Sequence, residues 1–112
     1  MSEAKAHVPD RYADMNSLEK AWARELDKQG GLTWAYESIK LKLAPKTFYT
    51  PDFFVVTDEG KCAFHETKGF MRDDAAVKLK VAARMYPWFD FVLITRIPKR
   101  DGGGFNVREV KR

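Results

Sequence analysis

Two strand-like segments joined by a short polar turn constrain this chain more than any other feature. The first runs from Tyr49 to Val56 and the second from Lys61 to Lys68. Aromatic and β-branched residues, which favour strands, are concentrated in the first segment. The residues between them, Thr57-Asp58-Glu59-Gly60, are typical of a turn. This pattern predicts an antiparallel β-hairpin in which Val56 lies opposite Lys61 or Cys62.

The rest of the chain shows signals for two helices and three more strands. Asn16 or Ser17 is a suitable N-cap for a helix that reaches about Gln29, before two glycines. Asp73 or Asp74 begins a second helix, which Pro87 ends. The further strands are predicted at Trp34–Leu43, Phe89–Thr95 and Phe105–Val110.

The order of these elements predicts an α/β domain with a mixed central sheet. Three successive strands favour an antiparallel meander. The helix between the third and fourth strands favours a right-handed crossover and therefore a parallel pairing. We expect an αβββαβ core in which helices flank the sheet.

Length and composition limit the class of protein. A chain of 112 residues with 45% hydrophobic residues fits one globular domain, predicted over residues 16–112 after a flexible arm at 1–15. No stretch approaches the roughly 20 apolar residues of a membrane helix, and the start lacks the apolar core of a secretory signal. Because Cys62 is the single cysteine, no intrachain disulfide can form. These features favour a cytoplasmic protein without membrane partners.

The predicted hairpin brings charged side chains together. Glu66 and Lys68 are two residues apart and therefore share a strand face, and the register places Asp52 across from Glu66. Two neighbouring carboxylates repel each other, and a divalent cation would relieve that repulsion. Asp52, Glu66 and the backbone carbonyl of Thr67 could bind Mg²⁺. Lys68 would then orient or help to deprotonate the attacking water, or stabilise a charged transition state.

These residues also carry a family resemblance, in the segments Tyr49-Thr50-Pro51-Asp52-Phe53 and His65-Glu66-Thr67-Lys68-Gly69-Phe70. They resemble the core of the PD-(D/E)xK nucleases, the superfamily of the restriction endonucleases. The likeness is greatest to small phage proteins of the endonuclease I and Holliday-junction-resolvase type, and it covers roughly residues 16–95. It implies a restriction-endonuclease-like fold, dependence on Mg²⁺ or Mn²⁺, and phosphodiester hydrolysis in DNA recombination or packaging, often by a homodimer in the bacterial host cytoplasm.

The resemblance also implies an additional acidic residue from the first helix, and Glu19 matches that position. Glu19 lies on the helix face of Trp22 and Leu26, where a carboxylate is unexpected unless it binds a metal or a basic partner. The alternative role is a favourable charge near the positive end of the helix dipole. Glu37 is the rival acid, and the sequence leaves open whether Glu19, Glu37 or both act with Asp52.

Basic residues give the candidate contacts to nucleic acid. The formal net charge of the chain is +4, and residues 96–112 are rich in Lys and Arg. Such a patch suits a phosphate backbone. The candidate DNA-binding residues are Lys78, Lys99, Arg100 and Arg108.

Three functions are compatible with these patterns. The leading hypothesis is a metal-dependent DNA endonuclease that is selective for branched or duplex DNA structure, since the chain has no room for a separate domain that reads base sequence. The second is a catalytically silent nucleic-acid-binding or assembly module of the same fold. The third is an α/β domain whose acids form surface ion pairs.

Overall fold

The computed structural model describes residues 11–69 and 73–111, with backbone alone for residues 73–76. The described chain is a mixed α/β domain with two α-helices, seven strands and one short 3₁₀ helix. The helices are α1, Ser17–Gln29, and α2, Asp73–Met85, and the 3₁₀ helix is Lys99–Asp101. The strands are β1 Leu32–Tyr36, β2 Leu41–Ala44, β3 Thr47–Tyr49, β4 Phe53–Thr57, β5 Cys62–Thr67, β6 Asp90–Arg96 and β7 Phe105–Glu109.

Helix α1 begins at an Asn16 cap, one of the two caps that the sequence predicts. The Asn16 side chain accepts a hydrogen bond from the Glu19 backbone N–H, and the Glu19 side chain accepts one from the Asn16 N–H. This reciprocal capping box satisfies two backbone donors that have no partner within the helix. The helix ends before Gly30, whose φ of 71° is a conformation that glycine adopts without strain.

Five strands form the main sheet in the order β1-β4-β5-β6-β7. The pairings of β1 with β4, β4 with β5 and β6 with β7 are antiparallel, whereas β5 and β6 are parallel. Val56 pairs with Cys62, so the predicted hairpin and its register are confirmed. Helix α2 connects the two parallel strands. The predicted mixed sheet is therefore present.

The predicted strand Trp34–Leu43 is wrong, because it is divided into β1 and β2. Glu37 has a positive φ of 48°, and the chain there leaves the main sheet. The predicted strand Tyr49–Val56 is likewise divided into β3 and β4 on either side of Pro51, which has no N–H to donate to a ladder. Strands β2 and β3 pair as a separate two-stranded hairpin, inserted between β1 and β4.

Apolar side chains form one core on each face of the main sheet. The first core lies under α1 and contains Trp22, Leu26, Trp34, Phe53, Val55 and Ile94. The second contains side chains of α2, of the β2–β3 hairpin and of the sheet, including Leu41, Leu43, Phe64, Leu79 and Phe91. Strands β4 and β5 are therefore held between two packed apolar layers.

The N-terminal segment joins the first core where it is described. Met15 is buried, and the Arg11 guanidinium lies over the Trp34 ring, 3.8 Å from its centroid. The other residues of the predicted arm, 1–10, lie outside the described residues. Within the described part of the chain, neither helix is long and apolar enough to span a membrane.

Candidate functional site

Asp52 and Glu66 lie side by side where β4 begins and β5 ends. Phe53 pairs with His65, so the next residue pair outward is Asp52 and Glu66. The Asp52 backbone N–H donates to Glu66 Oε1 at 3.2 Å. Both residues are buried, with 8% and 7% of their surface exposed. The structure thus brings together the two acids that the sequence placed opposite each other.

Thr67 holds the Asp52 carboxylate through two donors. Its backbone N–H and its hydroxyl each donate to Asp52 Oδ2 at 2.9 Å. The sequence assigned Thr67 a different contribution, a carbonyl ligand for a metal, and that assignment stays a prediction. The observed bonds fix the direction of the carboxylate and leave Oδ1 for other partners.

Glu66 is held by a tyrosine and a lysine. Its Oε1 accepts from the Tyr49 hydroxyl at 2.8 Å, and its Oε2 lies 3.2 Å from Lys68 Nζ. The Lys68 backbone N–H donates to Ile94 O on β6, which anchors the end of β5. About a third of the Lys68 side chain is exposed (34%), so the side chain reaches solvent.

Burial and the neighbouring Glu66 change how Asp52 ionises. Loss of solvent raises the pKa of Asp52, the negative charge of Glu66 raises it further, and the Thr67 hydrogen bonds lower it, with the result that it rises to about 7. Burial and the neighbouring Glu66 also raise the pKa of Tyr49, which keeps its hydroxyl protonated as a donor. The site therefore holds one carboxylate, that of Asp52, which a nearby cation would help to ionise.

Glu19 and Glu37 both approach Asp52, so the structure brings together the two acids that the sequence offered as alternatives. Carboxylate oxygens of these three residues lie within 4.8 Å of one another, and we refer to them as the acidic cluster. Glu19 comes from α1 and accepts a hydrogen bond from the Tyr36 hydroxyl at 2.9 Å. Glu37 is exposed, and its N–H donates to the Asp52 carbonyl at 2.8 Å.

The donor set of the acidic cluster fits a hard divalent cation. Mg²⁺ and Mn²⁺ prefer oxygen ligands and commonly keep several waters, which suits a cluster with one exposed member, Glu37. The cluster overlaps the ligand set predicted from sequence, which was Asp52, Glu66 and the Thr67 carbonyl with Glu19 or Glu37 as an additional acid. Glu66 lies next to the cluster, and its oxygens contact Tyr49, the Asp52 N–H and Lys68.

The four predicted DNA-binding residues come from three different elements. Lys78 is exposed on α2, and Lys99 and Arg100 lie in the 3₁₀ helix. Arg108 on β7 instead lines a groove of about 710 Å³ whose other cationic residues are Lys80, Arg84 and Lys111.

Arg108 projects from the same sheet face as Glu66. Arg108 pairs with Leu93 on β6, and Leu93 pairs with Glu66 on β5. Paired residues share a face, and two strand spacings amount to about 10 Å. Arg108 is therefore the candidate DNA-binding residue whose relation to the acids follows directly from the strand register.

His65, which precedes Glu66, is packed against Trp22 and has a structural role. The Trp22 indole N–H donates to His65 Nδ1 at 3.1 Å, which requires that nitrogen to be unprotonated. Burial lowers the pKa of His65 to about 4, so the ring is neutral at physiological pH.

Tyr49 and Tyr36 are the polar partners of the acids that the sequence interpretation missed. Their signal was a tyrosine in an otherwise apolar strand position close to a predicted acid.

Comparisons of the chain with models of protein families, with curated proteins and with solved structures found no match.

Proposed function

We propose that this protein is a metal-dependent DNA endonuclease that hydrolyses phosphodiester bonds. The observation that carries the proposal is the contact between Asp52, Glu66 and Lys68 at the ends of β4 and β5, next to Glu19 and Glu37. Buried acids in contact are unfavourable for folding unless partners compensate for their charge. Their presence here therefore favours a functional role. A cluster of carboxylates beside an accessible ammonium group is an arrangement suited to phosphoryl chemistry.

The order of the elements supports a restriction-endonuclease-like fold. Helix α1 precedes three antiparallel strands of the main sheet, β1, β4 and β5, and α2 then leads to β6, which is parallel to β5. This is the αβββαβ order that the resemblance implies, with the β2–β3 hairpin as an insertion. The proximity of Asp52 and Glu66, and the ion pair of Glu66 with Lys68, support the same assignment.

Each residue has a distinct part in the proposed reaction. A bound divalent cation would supply a Lewis acid that polarises the scissile phosphate and lowers the pKa of a coordinated water. Glu19, Glu37 and Asp52 would hold that cation, and Glu66 would orient Lys68 through their ion pair at 3.2 Å. Lys68 would stabilise the negative charge that develops on the phosphate oxygens.

The proposed substrate is branched or duplex DNA that is recognised by shape. Contacts to the phosphate backbone set position and affinity, whereas base contacts set sequence specificity. Exposed cations at Lys78, Lys99, Arg100 and Arg108 are available for backbone contacts. The family resemblance favours one form of this activity, the resolution of four-way junctions. A homodimer would then place one active site on each of the two DNA strands that are cut.

A cleavage assay tests the proposal. The purified protein is incubated with a labelled four-way junction, a flap, a linear duplex and a single strand, each with Mg²⁺, Mn²⁺ or a chelator. We expect cleavage that requires metal and that falls by about 100- to 1000-fold in Lys68→Ala, the range for loss of one group that stabilises charge in a transition state.

A matched control is Lys61→Ala, because Lys61 is an exposed lysine in the turn of the β4–β5 hairpin. Cleavage by this variant should equal that of the parent protein. If neither metal supports cleavage while the junction is still bound, the nuclease proposal fails and the silent binding module takes its place. If Lys68→Ala cleaves as fast as the parent, Lys68 has no part in the reaction.

A further inference from the structure

The inserted β2–β3 hairpin starts and ends at the acidic cluster. Glu37 immediately precedes the insertion and Asp52 immediately follows it. The Glu37 N–H donates to the Asp52 carbonyl at 2.8 Å, which closes the base of the insertion. Residues 38–51 therefore project from two members of the cluster, and any ligand on the hairpin lies next to the candidate site.

Apolar packing fixes the orientation of the hairpin. Leu41, Leu43 and Tyr49 are buried in the core shared with α2. The hydroxyl of Tyr86, the residue after α2, also donates to the Lys42 carbonyl at 2.6 Å. Because alternate strand residues point to opposite sides, these buried residues leave the other side of the hairpin facing solvent.

The solvent side of the hairpin carries cations around an aromatic ring. Lys42 pairs with Phe48 across the two strands, so both project from this side. Lys40 Nζ lies 4.6 Å from the centroid of the Phe48 ring, and Phe48 is 42% exposed. We call Lys40, Lys42 and Phe48 the outer face. Lys46 is the third lysine of the insertion, so residues 38–51 carry three positive charges and no acidic residue.

The chemistry of the outer face matches an unpaired nucleic-acid strand. Lysine side chains neutralise phosphates, and an exposed aromatic ring stacks on any base. In a duplex the bases are already stacked and paired, so the Phe48 ring can stack only on a base that has left the helix. The lysines also offset the repulsion that the carboxylates of the acidic cluster exert on a polyanion.

The distance from the outer face to the cluster is short. Phe48 precedes Asp52 by four residues, which at full extension span at most about 14 Å. Lys40 follows Glu37 by three residues, a span of at most about 11 Å. A base on Phe48 would therefore be within a few nucleotides of a phosphodiester at the cluster.

We propose that the outer face binds an unpaired strand beside the bond to be cut, with Phe48 stacked on a base and Lys40 and Lys42 against phosphates. This inference rests on the proposed function, because it assigns the single-stranded part of a branched or flapped substrate to the same site. It makes unpaired nucleotides next to a duplex the feature that the protein selects.

Binding in chelator separates this inference from catalysis. Fluorescence anisotropy is measured with a labelled oligothymidine, a flap and a fully paired duplex. Phe48→Ala should weaken binding of the oligothymidine and the flap by about 5- to 100-fold, the effect of losing one stacked base, and binding of the duplex much less. Phe48→Trp should retain the affinity. The control is Trp88→Ala, which removes another exposed aromatic ring (77% exposed) and should change nothing.

The lysines are tested by the salt dependence of the same binding. Lys40→Gln and Lys42→Gln should each reduce the slope of log affinity against log salt by about 0.7, the value for one phosphate contact on a single strand. An unchanged oligothymidine affinity in Phe48→Ala, or an equal loss in Trp88→Ala, would overturn the inference even if cleavage is confirmed. A loss specific to Phe48→Ala supports it even if no DNA is cut, in which case only the proposed nuclease activity fails.

Discussion

Asp52 and Thr67 are joined by two hydrogen bonds, because Asp52 Oδ2 accepts from both the backbone N–H and the hydroxyl of Thr67. These bonds favour the ionised carboxylate, yet burial and the charge of Glu66 outweigh them and raise the pKa of Asp52 to about 7. In the unfolded chain this pKa is near 3.8. The folded and unfolded states therefore bind different numbers of protons between about pH 4 and pH 7.

The first prediction follows from the sign of this difference. In that pH range the folded protein holds the Asp52 proton more often, so the contribution of Asp52 to the free energy of unfolding falls as pH rises. Asp52→Asn cannot ionise and should be more stable than the parent by about 1–3 kcal/mol at pH 8 in chelator. Urea denaturation at pH 4 and pH 8 measures this difference. Equal stabilities at pH 8 would show that Asp52 ionises without cost in the fold.

His65 provides the control for pH, because its contribution has the opposite sign. Its folded pKa is about 4, below the usual value of 6.5. Stability from this residue is therefore complete above about pH 6.5 and is lost as pH falls towards 4. In His65→Gln this loss on acidification should disappear, while the change that Asp52 contributes between about pH 4 and pH 7 remains as in the parent.

The second prediction concerns stabilisation by divalent cations. If Glu19, Glu37 and Asp52 hold a cation in the folded state only, Mg²⁺ or Mn²⁺ should raise the free energy of unfolding. The increase should be about 2.7 kcal/mol at a hundredfold excess over the dissociation constant, and it should appear as a higher melting temperature. Glu37→Gln should remove most of this effect without unfolding the protein, because Glu37 is exposed. Glu59→Gln, at an exposed acid in a turn, should keep it. A full metal response in Glu37→Gln would exclude Glu37 as a ligand.

The third prediction concerns the tyrosine that supports Glu66. Tyr49→Phe removes the buried hydroxyl that donates to Glu66 Oε1 at 2.8 Å. Loss of a hydrogen bond to a buried carboxylate should lower the free energy of unfolding by about 1.5–3 kcal/mol. Tyr36→Phe removes the partly buried bond to Glu19 and should cost less. Urea denaturation of both variants checks this order, which equal losses would contradict.

The fourth prediction concerns Arg108. If its guanidinium contacts a phosphate, Arg108→Gln should weaken duplex binding regardless of base sequence and reduce the salt slope by about 0.9. Lys28→Gln, an exposed change in the last turn of α1, should leave both unchanged. Titrations of labelled duplex at several salt concentrations measure the slopes. The same slope for Arg108→Gln and the parent would place Arg108 outside the DNA interface.

Local signals in the sequence were sufficient for α1 and for the β4–β5 hairpin. The Asn16 cap and its partner Glu19 are three residues apart, so the helix start depends on neighbours in the chain. The hairpin register follows from a short turn, and Val56 opposite Cys62 then places Asp52 beside Glu66. The contact between the two acids was predictable because few residues separate them from the turn.

The break between β1 and β2 was missed although the sequence contains a signal for it. Trp34 is buried at an even-numbered position, whereas Leu41 and Leu43 are buried at odd-numbered ones. A continuous strand keeps one parity on a buried face, so the change between Tyr36 and Ile39 indicates an interruption. The positive φ of Glu37 could not be predicted, because glutamate rarely adopts it and tertiary contacts hold it there.

The convergence of Glu19, Glu37 and Asp52 depended on this missed break. With Glu37 in a strand, its direction was undecided between two faces. In the structure Glu37 lies after β1 and contacts Asp52 through its backbone. The partners of the acids, Tyr36 and Tyr49, come from elements whose packing is set by long-range contacts, so their roles required the structure.

The alternation along β2 has a consequence for how this protein can diversify. Leu41 and Leu43 are fixed by the core, whereas their neighbours Lys42 and Ala44 face solvent. Inherited substitutions should therefore accumulate at every second position, and the chemistry of the hairpin surface can drift while the scaffold persists. A lineage could change what it recognises through this one short strand, and the acids at its base would be unaffected.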